Sequence, residues 1–180
     1  MNTLRRTITL GKLFGVPIRL HWSFLLIIFL VGFMAFNQNM ALWQVLNFSS
    51  LVLILFICVL LHEMGHALMA KALDISASDI ILSPIGGLAR LESMEKYPRK
   101  EILIALAGPF VNFLVALVLF IYLYFIAYKS MDFNPYGALD HINTHALLYF
   151  IFFINLLLFL LNLVPAFPMD GGRVLRAVLS

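Results

Sequence analysis

Four long apolar runs, separated by shorter polar stretches, set the pattern of this chain. They cover approximately residues 20–37, 44–73, 101–128 and 145–168. A helix needs about 20 consecutive apolar residues to cross the hydrocarbon core of a bilayer. The pattern therefore predicts an all-α polytopic membrane protein, a single transmembrane core with about four transmembrane helices. Because Arg19 stands just before the first run, we expect it to snorkel from that helix toward the membrane surface.

The connection between the second and third runs, residues 75–92, has a different character. Residues 76–83 and 88–92 are short strand-like runs, and Pro84 and two glycines interrupt them. This pattern predicts a short β-hairpin-like segment. The other connections are short, so we expect no PDZ or CBS domain within residues 1–180.

The composition supports the same class of protein. Hydrophobic residues make up 63% and charged residues 12% of the 180 residues, and the mean hydropathy is +1.00. These values exclude an ordinary soluble domain and require a lipid bilayer around the chain. The formal net charge of +3 is modest and gives no indication of a nucleic-acid partner. The sequence gives no indication of the oligomeric state either.

Basic residues are distributed unevenly between the two sides of the predicted helices. One side carries Arg5, Arg6, Lys12, Arg19, Lys71, Arg90, Lys96, Arg99, Lys100, Arg173 and Arg176. The other side carries Lys129 against two aspartates, Asp132 and Asp140. Cytoplasmic loops of membrane proteins are enriched in Lys and Arg. We therefore expect the N-terminus, residues 74–99 and the C-terminus to face the cytoplasm. The expected location is a prokaryotic cell membrane, which the protein crosses several times.

The second apolar run holds two histidines and a carboxylate in the sequence His62-Glu63-Met64-Gly65-His66. Residues i and i+4 lie on one face of a helix, so the two imidazoles can converge on one metal ion. Glu63 can lean toward the open position of that metal as a general base. Each ionisable side chain in hydrocarbon costs about 2.5 kcal/mol or more, so this cluster indicates function rather than packing.

A zinc site of this kind needs a third protein ligand and leaves one position for water. Asp170 is the best candidate, because it follows the fourth run on the membrane side where the motif lies. Pro165 and Pro168 before it and two glycines after it unwind the backbone. Such backbone is tolerated at membrane depth only where it is buried in protein or lines a cavity. The sequence therefore predicts one Zn²⁺ per chain, bound by His62, His66 and Asp170.

The HExxH element at residues 62–66 is accompanied by two further motifs. Residues 162–171 have the pattern Asn-x-x-Pro-x-x-Pro-x-Asp-Gly, and Gly108 and Asn112 form a Gly-x-x-x-Asn element in the third run. Together these motifs resemble the site-2 protease family of intramembrane zinc metalloproteases. The resemblance covers nearly the whole chain.

Residues 11–22 and 84–92 are similar to the subgroup of this family that often carries CBS domains. The resemblance implies that the two histidines and Asp170 are zinc ligands and that Glu63 is the catalytic base. Members of the subgroup usually continue with further transmembrane helices, whereas this sequence stops at Ser180. We therefore expect a catalytic core only.

The predicted function is that of an intramembrane zinc endopeptidase. It would cleave transmembrane segments of single-span substrate proteins near the cytoplasmic face, as in regulated intramembrane proteolysis. Glu63 would take a proton from the attacking water and return it to the leaving amine. Asn112 and Asn162 are candidate substrate-holding or oxyanion donors, although ordinary hydrogen bonding between helices is the alternative for both. Gly86 and Gly87 lie where a strand edge can pair with an unwound substrate, or where a hairpin serves only as scaffold.

Two other functions use a similar set of ligands. A divalent-metal transporter would use His62, His66 and Asp170 as a transit site, but this function gives Glu63 no task as a base. A membrane zinc protease of the prenyl-protein type also uses HExxH. Its third ligand is expected to be a glutamate, however, and none follows Glu101.

Overall fold

The computed structural model describes residues 7–75, 77–83, 86–91, 97–127 and 144–180. The elements in chain order are β1 (Thr7–Leu13), β2 (Val16–His21), α1 (Phe24–Asn37), α2 (Leu42–Ala72), β3 (Ala77–Ser83), β4 (Gly86–Leu91), α3 (Pro98–Tyr122), α4 (Thr144–Asn162) and α5 (Asp170–Leu179). A π-helical turn, Leu123–Ala127, continues α3. Several residues used above lie outside the described residues: Arg5, Arg6, Ser76, Pro84, Glu92, Lys96, Lys129, Asp132 and Asp140.

Within these described ranges, three helices are long and apolar enough to cross a membrane: Leu42–Ala72, Pro98–Phe125 and His145–Asn162. The apolar helix that precedes them, α1, has 14 residues. Its length is about 21 Å, less than the ~30 Å hydrocarbon core of a bilayer. The first apolar run therefore forms a shorter helix than the pattern predicts, because residues up to His21 belong to a strand. The chain has the predicted class, mostly helical with a short sheet.

The strands form one sheet in the order β1-β2-β3-β4. β1 with β2 and β3 with β4 are antiparallel hairpins, and β2 runs parallel to β3 with Ile18 opposite Ile80. The β3–β4 hairpin is the β-hairpin-like segment predicted for residues 75–92. The β1–β2 hairpin is not predicted by the apolar pattern. Its turn places Gly15 at φ +87°, a conformation that glycine adopts without steric cost.

The expectation that Arg19 snorkels from the start of a membrane helix is wrong. Arg19 lies on β2, and its Nε is 3.2 Å from Oδ2 of Asp79 on β3. Asp79 is buried, and a buried carboxylate is stabilised by an opposite charge at this distance. The ion pair therefore joins the two hairpins across their parallel strands.

The sheet packs against the part of α2 that carries the histidines. Val16, Ile80 and Leu82 of the sheet form one buried cluster with Met64 and Ala67 of α2. Met64 stands between the two histidines, and Ala67 follows the second one. Burial of these side chains thus fixes the sheet at the level of the HExxH element.

Helix α3 contacts α2, α4 and α5, so it lies at the centre of the helical part. A Cβ atom at Gly65 of α2 would be 2.7 Å from the carbonyl oxygen of Ala107 on α3. Real Cβ contacts are longer than this, so glycine is required for the close approach of the two helices. Small residues have the same effect at many helix contacts in membranes.

The end of α4 leads back toward the other helices through an irregular turn. α4 ends at Asn162, earlier than the run 145–168 suggests, because Pro165 and Pro168 cannot continue a helix. The chain then enters α5, whose first residue is Asp170. A Cβ atom at Gly171 would lie within 3 Å of carbonyl oxygens in the turn. The glycine therefore lets the start of α5 pack directly on the turn that precedes it.

Candidate metal centre

Three side chains from two helices converge at one point. His62 and His66 lie one turn apart on α2, and Asp170 begins α5. The Nε2 atoms of the two imidazoles are 3.1 Å apart, and each is 3.1 Å from Oδ2 of Asp170. All three residues are buried. In the part of the chain that is described, this is the only group of three or more His, Cys, Asp or Glu ligand atoms within 4.8 Å of one another.

Helix α3 contacts the Nδ1 atom of each imidazole, whereas the Nε2 atoms face Asp170. Nδ1 of His66 donates a hydrogen bond of 2.7 Å to the carbonyl oxygen of Ile104. Nδ1 of His62 lies 3.1 Å from the side-chain amide of Asn112. Metal-binding histidines usually make such a contact through the nitrogen that does not bind the metal, because it fixes the ring and the tautomer. Both Nε2 atoms are thereby left to face Asp170.

The chemistry of these donors fits a metal cation. A half-turn of the Asn112 amide exchanges its nitrogen and oxygen, and with the oxygen facing His62 both Nδ1 atoms are donors. Both Nε2 atoms then carry lone pairs, which face each other and a carboxylate oxygen. Three acceptors this close repel one another unless a cation lies between them. Ligands of a tetrahedral zinc with bonds of about 2.0–2.1 Å lie roughly 3.3 Å apart, close to the 3.1 Å found here.

Gly108 of α3 lies directly beneath the two imidazoles. A Cβ atom at this position would be 2.9 Å from Cε1 of His62 and closer still to Nε2 of His66. Any other residue would force both rings to move. Gly108 and Asn112 are one turn apart, so a single face of α3 makes room for both rings and also contacts His62 through Asn112.

The carboxyl group of Asp170 is ionised in this arrangement. Burial alone would raise its pKa, but the neighbouring imidazoles of His62 and His66 outweigh burial and hold the pKa below its usual range. Its second oxygen, Oδ1, is 3.5 Å from Nη1 of Arg173, one turn along α5. Asp170 therefore presents one oxygen to the histidines and the other to a basic residue of its own helix.

Glu63 and Asn112 differ in burial. Glu63 follows His62 on α2 and is half-buried. Asn112 is fully buried behind His62, so its contact is with a predicted ligand and its position is one of support.

The other residues predicted from sequence lie at the end of α4 and at the start of β4. Nδ2 of Asn162 donates a 2.9 Å hydrogen bond to the carbonyl oxygen of Leu158, four residues back in its own helix. Gly86 and Gly87 begin β4, where they stand opposite Ser83 and Leu82 of β3.

The sequence patterns do not predict two contacts of the site. The acceptor for His66 is the backbone carbonyl of Ile104, which no side-chain pattern reveals. Arg173 follows Asp170 at a spacing of one helical turn. That spacing is visible in the sequence, but it becomes a signal only once a helix is known to begin at Asp170.

Comparison with known proteins gives consistent results. The sequence model of Peptidase family M50 matches residues 50–180. A zinc metalloprotease of Methanocaldococcus jannaschii is 41% identical over 175 residues, which cover 97% of this chain and 46% of that protein. A solved structure, the site-2 protease from Methanocaldococcus jannaschii, superimposes with a TM-score of 0.71 at 38% identity, covering 97% of this chain and 72% of that one.

The matched relative and the cluster agree on the metal, since the His–His–Asp group fits one Zn²⁺. The chain spans less than half the length of this curated relative.

Proposed function

Since this chain belongs to peptidase family M50, we propose that it is an intramembrane zinc endopeptidase. Its substrates would be single-span transmembrane proteins, cleaved near the cytoplasmic face, as in regulated intramembrane proteolysis. One observation carries this proposal. The two imidazole Nε2 atoms converge with the Asp170 carboxylate, and both imidazoles belong to a helix apolar enough to span a membrane. Glu63 stands in the same turn of that helix as the first histidine.

The residues have distinct tasks in the proposed reaction. His62, His66 and Asp170 would hold zinc, which supplies Lewis acidity and lowers the pKa of a water molecule toward about 7. Glu63 accepts the proton of the attacking water and passes it to the amine that leaves. Because Asn112 and the Ile104 carbonyl already hold the two imidazoles, the rings need no reorientation during the reaction.

A transmembrane substrate must unwind before attack, because helical hydrogen bonds occupy its peptide carbonyls. We infer that β4 receives the unwound segment as an added strand. In the described part of the sheet, β4 pairs with β3 alone and is an edge strand. The sheet packs beside the HExxH element, so a strand added there lies near the cluster. Gly86 and Gly87 begin this strand and allow close approach of a second backbone.

Basic residues support cleavage near the cytoplasmic face. Lys71 and Lys100 lie near the ends of α2 and α3 that approach each other, since Nζ of Lys100 donates to the carbonyl oxygen of Leu73. Arg173 and Arg176 lie on α5 with Asp170. The positive-inside rule assigns this end of the bundle to the cytoplasm. We place the protein in a prokaryotic cell membrane in this orientation.

The test is cleavage of a panel of single-span model substrates by purified protein in detergent. Wild type is compared with Glu63→Gln, and bound metal is quantified in both. We expect about one zinc per chain in each protein and cleavage by wild type alone, because Glu63 acts on the proton and does not bind the metal.

Metal transport is the outcome that would replace this proposal. It would be established by zinc in both proteins, cleavage by neither, and metal flux into liposomes that survives Glu63→Gln. Cleavage by Glu63→Gln at the wild-type rate would remove Glu63 from the role of base.

A further inference from the structure

A buried acid in the first turn of α3 is not explained by the reaction. Glu101 is 4% exposed. Its carboxylate accepts a hydrogen bond from Nη2 of Arg176 on α5. A buried carboxylate that lacks an opposite charge is strongly unfavourable. The ion pair is therefore a strong link between α3 and α5, although the Arg176 side chain is itself 65% exposed.

Arg176 lies on the same helix as the third predicted zinc ligand. α5 has ten residues and begins at Asp170. So short a helix is marginal by itself, and its position depends on contacts with the rest of the protein. Whatever fixes α5 against α3 therefore also fixes the Asp170 carboxylate opposite the histidines.

Residues on one stripe of α3 contact the two histidines directly and contact the helix that carries Asp170. The Ile104 carbonyl holds His66, and Asn112 contacts His62. Glu101 lies one turn before Ile104 on the same helix and holds α5 through Arg176. We propose that the Glu101–Arg176 ion pair is a positioning device that sets Asp170 at binding distance from His62 and His66.

The proposal rests on the metal site of the proposed function but not on proteolysis. His62 and His66 belong to α2, whereas Asp170 reaches the cluster only through the placement of α5. Loss of the ion pair would leave the histidine pair in place and let α5 move. Displacement of a metal ligand by a fraction of an ångström weakens the site, because metal binding depends on ligand geometry.

The test is the zinc dissociation constant of the detergent-solubilised full chain, measured by competition with a chromophoric chelator. Arg176→Gln and Glu101→Gln should each weaken zinc binding about tenfold, as contacts behind metal ligands commonly do. The double variant should bind zinc no more weakly than the weaker-binding single variant, because both substitutions remove the same interaction. Arg176→Lys keeps the charge and should recover most of the affinity.

A chemically matched control comes from the sheet. Arg19 and Asp79 also pair a partly exposed arginine with a buried carboxylate, but they join β2 to β3. Arg19→Gln should lower the melting temperature of the metal-free protein and leave the zinc affinity within about twofold of wild type, since it does not touch α5.

Unchanged zinc affinity in Arg176→Gln would overturn the proposal, and so would an equal loss of affinity in Arg19→Gln. The double variant keeps the test decisive if a single variant does not fold, because it removes the buried charge together with its partner and leaves no uncompensated carboxylate. Zinc binding is measured without substrate. A failure here therefore differs from a failure of the proposed protease activity, which would appear as intact zinc binding without cleavage.

Discussion

Two asparagines are fully buried in the membrane helices, Asn112 on α3 and Asn155 on α4, and their surroundings differ. Each directs its side-chain amide at an atom of α2. For Asn112 that atom is Nδ1 of His62, at 3.1 Å, and for Asn155 it is Sγ of Cys58, at 3.2 Å. Cys58 and His62 lie one turn apart on the same helix, so the two contacts are neighbours in space.

The difference lies in what the partner does. Asn112 contacts a predicted metal ligand, whereas Asn155 contacts a thiol, which is a weak hydrogen-bond partner. Asn155 also donates to the carbonyl oxygen of Ile151 in its own helix, at 2.8 Å. A polar residue inside an apolar helix is a reasonable candidate for function. The chemistry of the neighbouring group, more than the burial of the asparagine itself, therefore separates support of a site from contact between helices.

The largest expected effect on zinc binding is at a glycine of α3, on the face that meets the two imidazoles. Gly108→Ala would place a methyl group against both imidazoles. We expect bound zinc to fall below about a tenth of the wild-type content, and cleavage to fall at least about 100-fold, because both rings must leave their binding geometry. Metal analysis and the cleavage assay on the same preparation measure the two losses.

Gly32→Ala is the matched control, because a Cβ atom at Gly32 on α1 meets nothing within 4 Å. It should retain full zinc content and slightly favour the helix. Wild-type zinc content in Gly108→Ala would contradict the tight fit of the rings on α3.

A smaller effect should separate the two asparagines directly. Asn112→Leu removes the support of His62, and we expect zinc affinity to fall about 10- to 100-fold, as for other contacts behind metal ligands. Asn155→Leu should leave zinc affinity unchanged, and its melting temperature should stay within a few degrees of wild type, because an apolar side chain replaces a weakly bonded amide at little cost. Chelator competition and thermal unfolding measure both variants.

Equal losses of zinc affinity in Asn112→Leu and Asn155→Leu would contradict the difference between the two asparagines in their effect on the metal site. In that case the two amides would stabilise the bundle alike, and the contact to His62 would have no special role.

Helical periodicity explains why the centre of the site could be predicted. His62 and His66 are four residues apart in a continuous apolar run, so any helix brings them to one face. Asp170 could be added because the alternation of spans and the distribution of basic residues assign it to the same end of the bundle. These two arguments need no knowledge of packing.

The remaining parts depend on contacts that the chain makes at a distance. The two glycines after Asp170 weaken a helix locally, yet α5 forms because its start packs on the preceding turn and Arg176 pairs with Glu101. The apolar pattern does not predict the β1–β2 hairpin, because the predicted first run begins at residue 20 and so assigns the last two residues of β2 to a helix. Its ion pair with β3 becomes visible only in the folded chain.

The smallest effect is expected at a third asparagine, Asn162, whose side chain resembles that of Asn155 in its bonding. Nδ2 of Asn162 donates to the Leu158 carbonyl of its own helix. This donor is therefore committed to its own helix. We expect Asn162→Ala to keep the wild-type zinc affinity and to change kcat and KM by less than about threefold. A donor to the oxyanion would behave differently, because its loss lowers kcat about 100-fold or more with little effect on metal binding. Steady-state kinetics with zinc-loaded protein decide between the two, and a selective fall in kcat would restore the oxyanion role that the sequence pattern suggests for this residue.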